Sequence, residues 1–252
     1  MTSTETTLPK LNIDGHLAII TLNKPHKANS LDSTDLLELS KHIYTINQQE
    51  EVLVLQVKST GKYFCSGYDL RGFGEKKYSF EDISNMLEDA RPVTIAVLNG
   101  GVYGGGTDLA LACDFRIGNP TVNMFMPAVR LGLHFYERGL KRYVARLGLN
   151  AAKQLFLTAE KIDANEMLKI GYLTHLINVE DQEKVVDDLS HKLNQMAPLA
   201  LLGMKKHLNR IARGSLDLNE LKNDISIAAK SEDIREGALA WAEKRQPVFK
   251  GK

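Results

Sequence analysis

Asn99-Gly100-Gly101-Val102-Tyr103-Gly104-Gly105-Gly106-Thr107-Asp108 is the stretch on which the reading of this chain turns. It follows an apolar run, Val93-Thr94-Ile95-Ala96-Val97-Leu98, and precedes a helical one, Leu109-Ala110-Leu111-Ala112. A strand that passes through glycine into a helix leaves backbone N–H groups without partners at the helix start. Those donors sit at the positive end of the helix dipole and suit a negative oxygen. Glycine also lets the backbone approach a ligand with no side chain between them. A tight turn alone needs one or two glycines; five among the seven residues 100–106 favour a turn that faces a ligand. Two phosphate-binding patterns fail on spacing. There is no G-x-G-x-x-G, and Gly106, five residues after Gly101, is followed by Thr107 where a P-loop needs Lys. An oxyanion formed during a reaction is the remaining candidate.

The 252 residues suffice for a large core, as one domain or as a main domain with an appendage. Apolar residues make up 43% and charged residues 25%, the balance of a soluble globular protein. With 32 Lys and Arg against 31 Asp and Glu, the chain carries no basic footprint for nucleic acid. Cys65 and Cys113 have neither metal-ligand spacing nor a disulfide framework, so they read as small buried thiols and no metal is expected. Residues 1–5 lack the basic-then-apolar order of a secretory signal, and no apolar run approaches the roughly 20 residues of a membrane span. Phe249-Lys250-Gly251-Lys252 is not a peroxisomal signal. A cytoplasmic protein without membrane contact is expected.

The first hundred residues alternate between strand and helix patterns. Leu17-Ala18-Ile19-Ile20-Thr21-Leu22 reads as a strand that Asn23-Lys24-Pro25 ends. Ser30-Leu31-Asp32-Ser33 opens a helix to about Asn47, with Leu36, Leu37, Leu39, Ile43 and Ile46 on its apolar face. Val52-Leu53-Val54-Leu55-Gln56-Val57 is apolar almost throughout, as a strand buried on both faces is. Residues 61–67 read as a loop, 81–90 as a helix, and Phe115-Arg116-Ile117-Gly118 as a fourth strand. From Gly139 onward helix dominates, over 141–146, 151–157, 164–170 and 183–196, with one late strand in Tyr172-Leu173-Thr174-His175-Leu176-Ile177. Pro198 opens a long helix and 216–244 continue in helix, so a soft boundary falls near residues 195–198. Lys205, Lys206, His207, Arg210 and Arg213 read as a solvated face of one helix.

With these residues in hand, the chain resembles the crotonase (enoyl-CoA hydratase/isomerase) family over nearly its whole length. Asn23-Lys24-Pro25-His26-Lys27-Ala28-Asn29-Ser30-Leu31 is similar to its first acyl-CoA loop, and Phe64-Cys65-Ser66-Gly67-Tyr68-Asp69-Leu70 to its F-x-x-G-x-D-L block. The stretch from Pro92 to Asp114 resembles its glycine block, and the stretch from Leu157 to Tyr172 the segment that follows. Glu243-Lys244-Arg245-Gln246-Pro247-Val248-Phe249 resembles its usual ending. The resemblance implies an α/β fold, a crotonase-like spiral of β-β-α turns over residues 1–196. It implies a C-terminal helical region, 197–252, that builds a homotrimer or a hexamer. Coenzyme A thioesters are the implied substrates, with coenzyme A part of the substrate and no separate cofactor. The thioester oxygen would sit between the backbone N–H groups of Tyr68 and Gly105, an oxyanion hole. Lys27 and Ala28 fall where the family meets the nucleotide part of the coenzyme, and Phe64, Ser66 and Gly104 lie in the same substrate-binding blocks. Lys244 and Phe249 fall where a neighbouring subunit closes over the adenine.

The chain also departs from the family. Hydratases set two glutamates about the substrate double bond. Asp108 takes the first position, with an arm shorter by one methylene, roughly 1.5 Å. Ala128, in Met126-Pro127-Ala128-Val129-Arg130-Leu131-Gly132, takes the second and cannot transfer a proton. The nearest replacements are Glu137 and Tyr136 in His134-Phe135-Tyr136-Glu137-Arg138-Gly139, with His134 a lesser candidate. Residues between Leu70 and Pro92, including Gly72, Gly74, Lys76 and Lys77, form a short stretch where the family shapes its acyl pocket. The expectation is an enoyl-CoA hydratase/isomerase-like enzyme that passes through an enolate, with isomerisation favoured because hydration needs a second group to position water. The alternatives are an acyl-CoA decarboxylase or hydrolase of the family, or a CoA-binding protein with weak or lost catalysis. A serine protease is disfavoured, because neither glycine block pairs a suitable serine with histidine.

Overall fold

The computed structural model describes residues 7–69 and 78–252. Residues 1–5, and the positions Leu70, Gly72, Gly74, Lys76 and Lys77 in the stretch expected to shape an acyl pocket, lie outside them. β1 (Lys10–Asp14) and β2 (Leu17–Leu22) form an antiparallel pair. α1 (Ser33–Gln48) follows, and its start is a capping box in which Asp32 accepts from Thr34 and Asp35 while Asp35 accepts from Asp32. Three turns then repeat one order: a strand, a second strand of three residues, a helix. They are β3 (Val54–Ser59), β4 (Tyr63–Cys65) and α2 (Phe80–Glu88); then β5 (Val93–Leu98), β6 (Gly101–Tyr103) and α3 (Gly105–Ala112); then β7 (Phe115–Gly118), β8 (Asn123–Phe125) and α4 (Glu137–Lys153). β9 (Lys161–Asp163), α5 (Ala164–Lys169) and β10 (His175–Leu176) complete the spiral. α6 (Gln182–Asn194), α7 (Pro198–Ala212), α8 (Leu218–Lys230) and α9 (Glu232–Glu243) end the chain.

Among the described residues the strands form two sheets, ordered β1-β2-β3-β5-β7-β10 and β4-β6-β8-β9. Apart from the β1–β2 and β8–β9 pairs, neighbouring strands run parallel. The first strand of each turn lies in the larger sheet and the second in the smaller, so the chain crosses between sheets once per turn. This corrects the reading of residues 99–106 as one turn from strand to helix. Gly101-Val102-Tyr103 is itself a strand, and only Gly104 separates it from α3. Residues 61–67 likewise hold β4 rather than a plain loop, whereas the two helices expected over 141–146 and 151–157 are found as two stretches of α4 separated by a non-helical Gly148 (φ +80°).

Side chains of the larger sheet alternate between two cores. Ala18, Ile20, Leu22, Leu55, Val57, Ala96 and Leu98 face one, packed with α1, α2 and α3. Val54, Val93, Ile95, Val97 and Ile117 face the other, closed by Val186 and Leu193 of α6 and by Leu201 and Leu202 of α7. This two-sided burial is why β3 and β5 read as nearly unbroken apolar runs. The basic cluster on α7 is not a solvated face. Lys205 reaches Asp114 at 2.8 Å, Lys206 reaches Asp224 at 2.5 Å, His207 Nε2 lies 2.9 Å from Asp224, and Arg210 pairs with Glu220. These residues form the seam between α7, α8 and the spiral.

The smaller sheet presses on α3 where a side chain has no room. A Cβ on Gly106 would lie 2.6 Å from the carbonyl oxygen of Cys65 in β4. Gly106→Ala is therefore expected to destabilise the protein by about 1–3 kcal/mol, the usual cost of overpacking, in urea unfolding. An unchanged unfolding midpoint would show that α3 does not depend on this approach.

Candidate functional site

Two backbone turns meet at the start of α3. Gly67 (φ +93°) follows β4, and Gly104 (φ +52°) is the residue before α3; both conformations are open to glycine and strained for other residues. A Cβ on Gly67 would stand 3.1 Å from the Gly105 nitrogen, so the two turns touch backbone to backbone. Each is tied down from outside: the Leu31 N–H donates to Gly67 and the Asp69 N–H to Leu31, both at 2.9 Å, while the Gly104 N–H donates to Phe125 at 2.9 Å. The Gly105 N–H, at the first position of the helix, has no acceptor among the described residues. The ring of Phe80 lies over Gly105, and Tyr68 meets that ring edge-on at 6.3 Å.

Asp108 stands in the first turn of α3 and is fully buried. Helical side chains lean toward the helix start, so its carboxylate lies over the Gly105 end. One carboxylate oxygen, Oδ2, accepts from the Tyr136 hydroxyl and from Arg142 Nη1, each at 2.5 Å. The other, Oδ1, is buried and has no partner among the described residues. Tyr136 precedes α4, whose side chains at 138, 142 and 146 recur every fourth residue and so share a face. Arg142, wholly buried, also donates to Glu88 Oε1 and to Asn85 Oδ1, both at 2.9 Å. Arg138 reaches Glu88 at 2.8 Å and Asp89 at 2.6 Å; Arg213, just after α7, reaches them at 3.2 and 2.6 Å. Arg146 donates to the Cys113 carbonyl at the far end of α3, where a cation complements the helix dipole.

Burial pushes the Glu88 carboxyl up, but hydrogen bonds and charge from Arg142 and Arg138 overcome it and hold the group at about 2. Burial and the neighbouring Asp108 carboxylate push the Tyr136 phenol well above its ordinary value, which keeps it a donor. Burial would lower the Arg142 guanidinium, yet Asp108 and Glu88 raise it overall.

Of the proton-transfer residues expected, the structure brings together Asp108 and Tyr136. It does not bring in Glu137, whose side chain is 80% exposed and pairs with Lys141 at 2.6 Å, one helical turn on. His134 is exposed and its ring nitrogen lies 2.7 Å from the Phe135 carbonyl. Ala128 opens a 3-10 turn, Ala128–Leu131. Among the binding residues, Phe64 is sealed in the core, so it contributes packing rather than a ligand surface. Lys27 lies 3.5 Å from Asp69, and the Ser66 N–H donates to the Ala28 carbonyl at 3.0 Å, which joins the first loop to the Gly67 turn. Asn29 beneath them donates to Thr60 and Tyr63 and accepts from Lys24, all at 2.8 Å. Lys244 ends α9 in a left-handed conformation, and Phe249 packs 3.6 Å from the Cβ position of Gly237. Sequence reasoning passed over Arg142 and Glu88. The signal was present in Arg138, Arg142 and Arg146: arginines every fourth residue on a helix that packs inward need carboxylates or carbonyls facing them.

A family model described as enoyl-CoA hydratase/isomerase matches residues 12–252. The enoyl-CoA isomerase/hydratase of Mycosarcoma maydis is 31% identical over 255 residues, covering 92% of this chain and 92% of the relative. The methylmalonyl-CoA decarboxylase of Escherichia coli is 27% identical, covering 93% and 95%. The crystal structure of an enoyl-CoA hydratase from Bacillus anthracis superposes with a TM-score of 0.88 at 28% identity, over 97% of this chain and 99% of that one.

The low value at Glu88 sets a pH dependence. A carboxyl that ionises at about 2 when folded and near its ordinary 4.5 when unfolded stabilises the fold above about pH 5 and loses that effect as pH falls toward 2. The interval corresponds to roughly 3 kcal/mol. Urea unfolding at pH 7 is expected to show Glu88→Gln less stable than the parent by about that amount, and the gap to shrink by about half or more at pH 3. A gap of equal size at both pH values would contradict the charged pairing.

Proposed function

The chain belongs to the enoyl-CoA hydratase/isomerase family, and on that premise we propose that it forms the enolate of an acyl-CoA thioester at Gly105 and Asp108, moving a double bond in preference to adding water. The thioester oxygen accepts from the Gly105 and Tyr68 N–H groups. The charge that develops on it as a C2 proton leaves meets the positive end of α3. Donors of this kind lower a barrier by roughly 3 kcal/mol each. Asp108 takes the C2 proton on Oδ1 and returns it at C4, so a C3–C4 double bond becomes a C2–C3 one. Tyr136 and Arg142 stay on Oδ2 throughout.

The observation that carries this reading is the buried Asp108 carboxylate, whose Oδ1 has no partner among the described residues, at a site where position 128 is alanine and Glu137 faces solvent. One shuttling carboxylate suffices to move a proton between two carbons, whereas hydration needs a second group to activate water. Lys27 and Ala28 hold the nucleotide part of the substrate, and Ser66 and Gly104 border the thioester; coenzyme A itself is the only non-protein group the reading requires. Binding and chemistry occupy residues 1–196 and assembly 197–252, as a homotrimer or hexamer. Support comes from Met204, Leu208, Ile211, Ile225 and Ile234, all exposed about a cavity of about 840 Å³ among α7, α8 and α9. A cytoplasmic setting accords with the free thiols Cys65 and Cys113. Decarboxylation is a second reading, favoured by the Arg142–Asp108 pair: when CO₂ leaves and its bonding electrons pass to the enolate, no base is needed.

The test follows trans-3-hexenoyl-CoA, trans-2-hexenoyl-CoA and methylmalonyl-CoA in deuterated water. The parent is expected to isomerise the first faster than it hydrates the second, and Asp108→Asn to lower isomerisation roughly 10²–10⁴-fold. Rapid 3-hydroxyacyl-CoA formation by the parent would overturn the isomerase preference. CO₂ release that survives Asp108→Asn, without isomerisation in the parent, would select decarboxylation.

A further inference from the structure

Arg142 is buried completely and spans two carboxylates on different helices, Asp108 of α3 and Glu88 of α2. It bonds Asp108, the acidic side chain that the enolate reading uses. The Tyr136 hydroxyl bonds the same oxygen, Oδ2, and Oδ1 is left without a partner among the described residues. A carboxylate held by two donors on one oxygen cannot rotate without breaking both. The other end of the guanidinium is equally fixed, because Glu88 is itself gripped by Arg138 and Arg213. Three carboxylates, Asp108, Glu88 and Asp89, face three guanidiniums, Arg142, Arg138 and Arg213, so the charge of Asp108 is balanced inside the protein.

We propose that Arg142 is a positioning residue for Asp108, anchored by Glu88, and that it selects Oδ1 as the oxygen presented to the substrate. The proposal deepens the enolate reading and rests on it for the identity of the reaction. Its chemistry follows from the fork of the guanidinium. One edge serves Asp108 and another serves Glu88 with Asn85, a division that an ammonium, a point charge on a flexible stem, does not reproduce.

The test compares Arg142→Lys with the parent, in the wild-type background and in Asp108→Asn, on trans-3-hexenoyl-CoA. In the wild-type background kcat is expected to fall roughly 10-fold or more, with KM within about threefold, because the oxyanion donors and the coenzyme loop belong to other elements. In the Asp108→Asn background the same substitution is expected to cost nothing further in kcat, since its effect passes through the missing carboxylate. An equal loss in both backgrounds, or a rise in KM matching the fall in kcat, would overturn the proposal in favour of a structural role. Should Arg142→Lys not fold, Glu88→Gln loosens the same guanidinium from its other end and is read in the same two backgrounds. Crystals of the parent and of whichever variant folds, each with butyryl-CoA, supply a measure independent of turnover. The Asp108 carboxylate should be rotated in the variant, and an unchanged orientation overturns the proposal. A parent that does not isomerise defeats the enolate reading, while this crystallographic comparison still decides the role of Arg142.

Discussion

The backbone contact between Gly67 and the Gly104–Gly105 turn is the constraint on which the rest of the structure depends. Gly67 and Gly104 both hold a positive φ, and a Cβ on Gly67 would crowd the Gly105 nitrogen and the Tyr103 carbonyl at 3.1 Å, so two separate stretches of sequence each place glycine here. The contact requires β4 and β6 to be neighbours, since these strands deliver the two turns. That pairing requires the chain to leave the larger sheet after each strand and lay down a short one in a second sheet. The spiral therefore carries a backbone surface to one place. α3 begins there because Gly104 adopts a conformation that neither continues β6 nor belongs to the helix.

The start of α3 creates a problem for the carboxylate beside it. Asp108 is favourable in the first turn, yet it is buried, and a buried lone charge is expensive. The protein answers with α4, which runs along α3 and presents Arg142 to Asp108 near one end and Arg146 to the Cys113 carbonyl at the other. Arg142 would in turn carry an excess positive charge, which Glu88 offsets. The chain of pairs ends only at Arg138, Arg213 and the partly exposed Asp89, where water takes over. Such a network is a weak source of stability by itself, because the cost of removing each charge from water nearly cancels the attraction. Its consequence is geometric: breaking any one pair strands a charge, so the side chains hold one arrangement.

The fold was legible where periodicity could act. β2, β3, β5 and β7 are four to six residues long and apolar enough to declare themselves, and α1 begins at a recognisable cap. The smaller sheet was not legible from pattern. β4, β6, β8 and β9 have three residues each, too few to alternate, and Gly101 within β6 resembles a turn. The glycine block pointed correctly to a helix start, but the route to it through a second sheet came only with the structure. Glu137 was misleading for a simple reason. It adjoins Tyr136 in sequence, but Tyr136 is extended backbone before α4 whereas Glu137 is the first helical residue, and it turns to solvent while Tyr136 reaches Asp108. The basic residues of α7 looked like solvent-facing charge because the acids that partner them, Asp114, Glu220 and Asp224, lie elsewhere along the chain.

Alanine at 128 and the arginine network bear on the same question from opposite sides. A site with two free carboxylates can divide its work, one activating water and one protonating carbon. Here position 128 is alanine and the Asp108 carboxylate is half occupied, with Oδ2 committed to Tyr136 and Arg142. Among the described residues the site then offers one oxygen, a phenol that stays protonated, and a helix start whose first N–H has no acceptor. On the proposed reading these stabilise charge on a thioester oxygen and move one proton at a time. Reactions that begin and end with the same atoms in the acyl chain fit that inventory, as does one that expels CO₂. On that reading the chemistry is set by alanine at 128 and by the two donors that hold one oxygen of Asp108.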